Sequence, residues 1–141
     1  SFLIVDPGDS KPILDFFNSN PDKTLAGILI THHHSDHVGG IKELIDISNN
    51  KFFSTGMIEF GKTKKLNSIP VFGPIGFEKY GVNIPVKEAD NFMFGRKHLT
   101  VLEIPGHTSN HIGYLCREGN NSLTTRLFCG DTLFAAGCGR I

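Results

Sequence analysis

The chain has 141 residues, with 14 Lys plus Arg balanced by 14 Asp plus Glu and 39% hydrophobic residues. That is the length of one domain and the composition of an ordinary folded globular chain. The charge balance offers no basic surface for nucleic acid or an anionic membrane, and no apolar run approaches the ~20 residues needed to span a bilayer.

No basic segment followed by an apolar one marks a secretory signal at the start. Cys116, Cys129 and Cys138 include no CxxC pair, so a disulfide framework is not expected. They read as small buried apolar residues in a reducing compartment, the cytoplasm or the mitochondrial matrix. A monomer without nucleic-acid or membrane partners is the expectation. The chain opens directly on an apolar strand and stops just after a Gly-rich turn, which reads as part of a longer protein.

In chain order, Phe2 to Val5 is a short apolar strand stopped by the turn sequence Asp6-Pro7-Gly8-Asp9. Ser10 is placed to cap a helix that has Pro12 near its start and carries Ile13, Leu14, Phe16 and Phe17. Leu25 to Ile30 is nearly continuously apolar, the pattern of a strand buried on both faces. After a His-rich segment, Gly39-Gly40 leads into Ile41 to Ile47. There Ile41, Leu44 and Ile45 share one face of an amphipathic helix of about two turns.

Phe52-Phe53 and Val71-Phe72 read as short strands, and Thr55 to Ser68 as loop or irregular helix. Leu99 to Ile104 is a strand stopped by Pro105-Gly106. Ile112 to Cys116 and Leu123 to Cys129 are strands around the hairpin turn Glu118-Gly119-Asn120-Asn121. Early alternation of strands and helices followed by strands predicts an α/β layered domain, covering residues 1–141.

The chemistry concentrates in Thr31-His32-His33-His34-Ser35-Asp36-His37-Val38-Gly39-Gly40. In extended backbone the His32 and His34 imidazoles fall on the same side. On a helix they would point about 200° apart. His33 then faces the other way, in a packing or supporting role. Asp36 and His37 follow where the chain must turn, so their side chains diverge toward a second metal. Gly39 and Gly40 let the backbone bend tightly.

His107 and Asp131 come from distant loops that follow predicted strands, where α/β proteins usually place function. Four ligand-type residues within six positions have no inexpensive structural explanation, because buried charge is costly. Nitrogen and carboxylate donors without thiolate suit Zn²⁺, Fe or Mn²⁺. With two oxygens, Asp131 could bridge two ions. A water between them would be acidified toward a pKa of ~7 and become a hydroxide nucleophile.

Other polar residues have plainer readings. His111 reads as a hydrogen-bonding partner and His98 as a solvated surface residue. Asp6 is open between a supporting role and a plain turn Asp. Cys138 has no base to activate it as a nucleophile.

HxHxDH, then GHT, then GD are similar to the metallo-β-lactamase superfamily. THHHSDHVGG, PGHTSNHIGY and FCGDTLFAAGCGR resemble more closely its glyoxalase II (hydroxyacylglutathione hydrolase) family. The resemblance implies a metallo-β-lactamase-like αββα sandwich. It implies two divalent ions: one on His32, His34 and His107, a second on Asp36 and His37, with Asp131 bridging. Zn²⁺ is the expected metal and Fe or Mn²⁺ the alternatives.

The resemblance also implies hydrolysis of a glutathione thioester, S-lactoylglutathione, with Arg140 contacting glutathione. Ile141 stands where that family usually has an aromatic residue. The family's last metal-binding His and its helical substrate domain would lie beyond it. Persulfide dioxygenases share these motifs but use a single iron. They usually carry an Arg before GCGR, where this chain has Ala135-Ala136, and lack the middle His, here His33. A metal-binding fragment without activity is the third reading.

Overall fold

The computed structural model describes residues 1–48, 58–59, 68–119 and 121–140. Phe52-Phe53, most of the stretch from Thr55 to Ser68, Asn120 and Ile141 lie outside the described residues. The elements in order are β1 (Phe2–Val5), α1 (Lys11–Ser19), β2 (Leu25–Leu29), α2 (Ser35–Val38), α3 (Ile41–Ser48), β3 (Ile58–Glu59), β4 (Val71–Pro74) and β5 (Ile84–Val86). They continue with β6 (Asn91–Phe94), β7 (Lys97–Glu103), β8 (Ile112–Glu118), β9 (Asn121–Phe128), β10 (Leu133–Phe134) and β11 (Gly137–Cys138).

Two sheets face each other. The first is parallel, in the order β1-β2-β4-β5, and the second is antiparallel, β3-β6-β7-β8-β9. Every residue of β2 is buried, because the strand is covered twice. Ile28 and Ile30 pack with Phe17, Ile41 and Leu44 under the helices, while Leu29 packs with Phe92, Leu99 and Tyr114 between the sheets. This is what the unbroken apolar run predicts for a central parallel strand. The helix α3 buries Ile41 and Leu44 and exposes Lys42, Glu43 and Asp46, as its periodicity requires.

The helix–sheet–sheet layers match the expected sandwich. The outer face of the second sheet carries Leu115 and Leu127, and no helix covering it occurs among the described residues. β5 and β6 were not expected. β5 is short, edge-placed and interrupted by Pro85, which weakens any strand signal.

Ser10 does not cap α1. Its backbone is already helical and its hydroxyl donates to Glu43 of α3 instead. The Lys11 amide is held by Asp9 Oδ1 at 2.9 Å, so the neighbouring carboxylate does what was expected of the serine. Cys116 is buried as expected, but Cys129 is only half-buried and Cys138 is exposed. Both follow the last long strand, Cys129 just after β9 and Cys138 in the exposed two-residue strand β11.

The parallel pairing of β1 with β2 puts the residues after Val5 and Leu29 at one end of the sandwich. The Ile112 amide donates to the Thr31 carbonyl at 3.0 Å, tying the start of β8 to the same end. Tyr114 locks the interior: its buried hydroxyl donates to the Ile30 carbonyl at 2.9 Å and lies 3.3 Å from the Phe72 carbonyl. Phe72 stacks on Phe92 alongside, at 4.4 Å and 8°.

Tyr114→Phe removes the hydroxyl and little volume. It should cost about 1–2 kcal/mol, the range for a buried acceptor losing its donor. Urea unfolding checks this, and an unchanged midpoint would show that the hydroxyl does not join the sheets.

Candidate metal centre

The centre is organised from behind by Asp6, the residue after β1. Asp6 has φ of 48°, a left-handed conformation that Asp tolerates better than most residues. Its amide is held by the Leu29 carbonyl at 2.9 Å. Oδ1 accepts the Thr31 amide at 2.7 Å, and Oδ2 accepts the Thr31 hydroxyl at 2.6 Å and His37 Nδ1 at 3.1 Å. With its proton given to Asp6, the Thr31 hydroxyl accepts His32 Nδ1 at 3.0 Å. Both rings therefore carry their proton on Nδ1 and present a lone pair at Nε2. Asp6 is a support rather than a plain turn residue.

In front of this frame the rings converge. His32 is fully buried, and its Nε2 has no hydrogen-bond partner. One ligand-capable atom from each of His32, His34, His107 and Asp131 lies within 4.8 Å of the others. Asp131 Oδ2 is 3.9 Å from His32 Nε2 and 3.4 Å from His107 Nε2. His107 Nε2 is 2.9 Å from His34 Nδ1, and His107 Nδ1 donates to the Arg140 carbonyl at 2.9 Å.

The other Asp131 oxygen faces elsewhere. Oδ1 is 3.2 Å from His37 Nε2, and Asp36 Oδ2 is 3.7 Å from the same nitrogen. Asp36 is 76% exposed, so it borders the group from the solvent side. Asp6, His32 and His37 also come close together, but the Asp6 oxygens are already committed to three donors.

His33 faces away, stacking on Tyr80 at 6.0 Å and meeting Phe77 edge-on. His98 is exposed. Arg140 reaches the group through its backbone, with its side chain exposed. His111, by contrast, is buried against the centre, with its ring stacked on His32 at 4.7 Å and 16°.

Three glycines matter for different reasons. Gly39 adopts ordinary helical angles, so it is not there for a sharp bend. A Cβ on Gly39 would lie 2.5 Å from the Gly8 carbonyl oxygen, and one on Gly40 would lie 2.6 Å from the Ser10 nitrogen. The pair lets the His-rich turn rest directly on the 6–10 turn. Gly130 needs both conformation and space: its φ is +49°, and a Cβ there would lie 2.4 Å from Thr31 Oγ1 and 2.8 Å from the His111 ring.

The site is suited to a metal ion. A buried imidazole nitrogen without a partner is costly, and a cation would satisfy it. The converging donors are nitrogen and carboxylate oxygen, the set that Zn²⁺, Fe and Mn²⁺ accept. Burial, ahead of the His37, His111, His34 and His107 rings, pushes the His32 pKa down to about 3. Burial also lowers His111 and His33. A neutral ring is the form that can bind a cation.

The family model described as "Metallo-beta-lactamase superfamily" matches residues 1–141. A hydroxyacylglutathione hydrolase of Hahella chejuensis (strain KCTC 2396) is 42% identical over 138 residues, covering 98% of this chain and 45% of that protein. One from Legionella pneumophila (strain Corby) is 41% identical over 137 residues, covering 97% of this chain and 44% of that protein. The chain thus spans less than half the length of these curated relatives.

Among solved structures, ETHE1 from Myxococcus xanthus matches with a TM-score of 0.68 and 26% identity, covering 98% of this chain and 50% of that one. The BLEG-1 B3 metallo-beta-lactamase matches with a TM-score of 0.70 and 20% identity, covering 98% and 65%, a likeness of fold.

Two outcomes follow for the metal-free protein. Between about pH 6.5 and about pH 3 the unfolded chain binds a proton at His32 that the folded chain refuses, so stability falls as pH drops through that window. Urea midpoints at pH 7 and pH 5 should show the decline, and His32→Asn should make it shallower. An equally steep decline in the variant would place the titration elsewhere. Gly130→Ala should cost about 2 kcal/mol or more, from left-handed strain and overlap with Thr31 and His111. A parent-like urea midpoint would contradict the close approach.

Proposed function

The chain belongs to the metallo-beta-lactamase superfamily, and on that premise we propose that it is the metal-binding part of a binuclear hydrolase of glutathione thioesters. The observation that carries the reading is the Asp131 carboxylate. One oxygen faces His32 and His107 while the other faces His37, as a carboxylate shared by two cations would. His32, His34, His107 and Asp131 would hold one ion; Asp36, His37 and Asp131 would hold the second. Zn²⁺ suits the donors, with Fe or Mn²⁺ as alternatives. Bound there, such a metal would supply Lewis-acid chemistry, bringing the pKa of a water toward ~7 and polarising a carbonyl oxygen.

The protein's own contribution is orientation. Asp6 and Thr31 hold His32 and His37 in the tautomer that aims Nε2 forward. The Arg140 carbonyl does the same for His107. A thioester suits a site without an obvious proton donor, because its leaving thiol has a parent pKa of ~8.5 and departs as thiolate. The relatives named hydroxyacylglutathione hydrolase support this substrate class. S-Lactoylglutathione is the compound to test. The exposed side chain of Arg140, whose backbone carbonyl is bonded to His107, would grip a glutathione carboxylate. His37 Nε2 on the second Asp131 oxygen, with Asp36 3.7 Å from that same nitrogen, favours a two-metal hydrolase over a single-iron dioxygenase.

His34→Ala should lower bound metal and abolish S-lactoylglutathione hydrolysis, while His33→Ala should leave both within about threefold, since its ring faces away. Metal per chain by emission spectroscopy, beside the thioester assay, tests this. Retained metal and activity in His34→Ala would remove it as a ligand. Arg140→Ala should raise KM more than it lowers kcat, because a remote carboxylate is gripped alike in ground and transition states. An unchanged KM would exclude Arg140 from the substrate site.

A further inference from the structure

The geometry points to His111 as a positioning residue of the metal centre: its Nε2 accepts the Asp131 backbone amide and thereby sets where the shared carboxylate stands. This rests on the two-metal reading of Asp131. His111 is 1% exposed, and the distance from the Asp131 nitrogen to Nε2 is 3.3 Å. A ring that accepts at Nε2 is neutral and protonated at Nδ1, which is buried without a hydrogen-bond partner among the described residues; the Nε2 lone pair is spent on the amide and is not a ligand.

The ring sits on a rigid mount. Its carbonyl accepts the Ile104 amide at 2.9 Å, and the next amide, of Ile112, donates to the Thr31 carbonyl at 3.0 Å. His111 is thus fixed relative to the same Thr31 that orients His32, and its ring stacks on His32 as well. Asp131 has a slighter support among the described residues, its carbonyl packing against Gly139. It lies in the single turn Gly130–Thr132, with φ and ψ of −89° and 16° outside the helical range. That turn is closed by the Thr132 amide to the Cys129 carbonyl at 3.1 Å, which leaves the Asp131 amide to His111.

Gly130 makes the approach feasible, since a Cβ would lie 2.9 Å from His111 Nε2. The precision matters. The two Asp131 oxygens stand 3.2 to 3.9 Å from three different imidazoles, so a displacement of about 1 Å would favour one metal position at the expense of the other.

Two variants separate acceptor from ring. His111→Phe keeps a flat ring on His32 and removes the acceptor. His111→Gln supplies an amide oxygen near the position of Nε2 and removes the ring. On the full chain, Zn²⁺ affinity is measured by competition with a chromophoric chelator. The Co²⁺ electronic spectrum reports coordination geometry, and the urea midpoint of the metal-free chain reports folding.

The expected result is a loss of about 10–100-fold in affinity and an altered Co²⁺ spectrum for His111→Phe at a near-parental urea midpoint. His111→Gln should stay within about threefold of the parent and keep its spectrum. Parental affinity and spectrum in His111→Phe, or an equal loss in His111→Gln, would overturn the assignment. If His111→Phe does not fold, His111→Gln decides: near-parental affinity supports the acceptor role, and a tenfold or greater loss overturns it. A parent chain that binds no metal would instead overturn the underlying two-metal reading.

Discussion

One carboxylate holds the working end of this protein together. Asp6 takes the Thr31 amide, the Thr31 hydroxyl and His37 Nδ1 on its two oxygens, and through Thr31 it also fixes His32. A carboxylate accepting several such bonds is worth more than its parts, because each donor is immobilised by the same partly buried anchor. The consequence is chemical. The imidazoles of His32 and His37, both from the His-rich segment, are held with their protons to the rear and their lone pairs toward Asp131. The strained backbone at Asp6 is what a residue held by its surroundings tolerates. Glycines at 8, 39 and 40 then let the two turns touch backbone to backbone, so the His-rich segment has a rigid floor.

Much of this was legible in the sequence, for identifiable reasons. The period-two spacing of His32 and His34 at the end of an apolar strand placed their rings together and sent His33 the other way. The unbroken apolar run of β2 announced a doubly covered strand. What stayed hidden depended on partners far apart in the chain. Asp6 in a Pro-Gly turn looks like any turn aspartate until Thr31 is brought to it. Ser10 has the composition of a helix cap, but Glu43 competes for its hydroxyl. Gly39 and Gly40 suggested a tight bend, yet their role is closeness, which no local pattern encodes. β5 was obscured by Pro85.

The fold and the site divide the function unequally. The sandwich contributes the convergence: parallel strands deliver Asp6 and the His-rich turn, and the antiparallel sheet delivers His107, His111 and Asp131 to the same end. The imidazoles are then oriented by the hydrogen bonds they donate to Asp6, Thr31 and the Arg140 carbonyl. Substrate choice is a separate matter, for which the exposed Arg140 side chain is the proposed contact.

The central claim is that Asp131 is shared between two cation positions held off by the Asp6 frame. Anomalous diffraction from crystals grown with Zn²⁺ tests it most directly. The account predicts one strong peak among His32, His34, His107 and Asp131, and a second beside His37 and Asp36 on the other Asp131 oxygen. A peak ligated by the Asp6 carboxylate, or none within the histidine group, would contradict it.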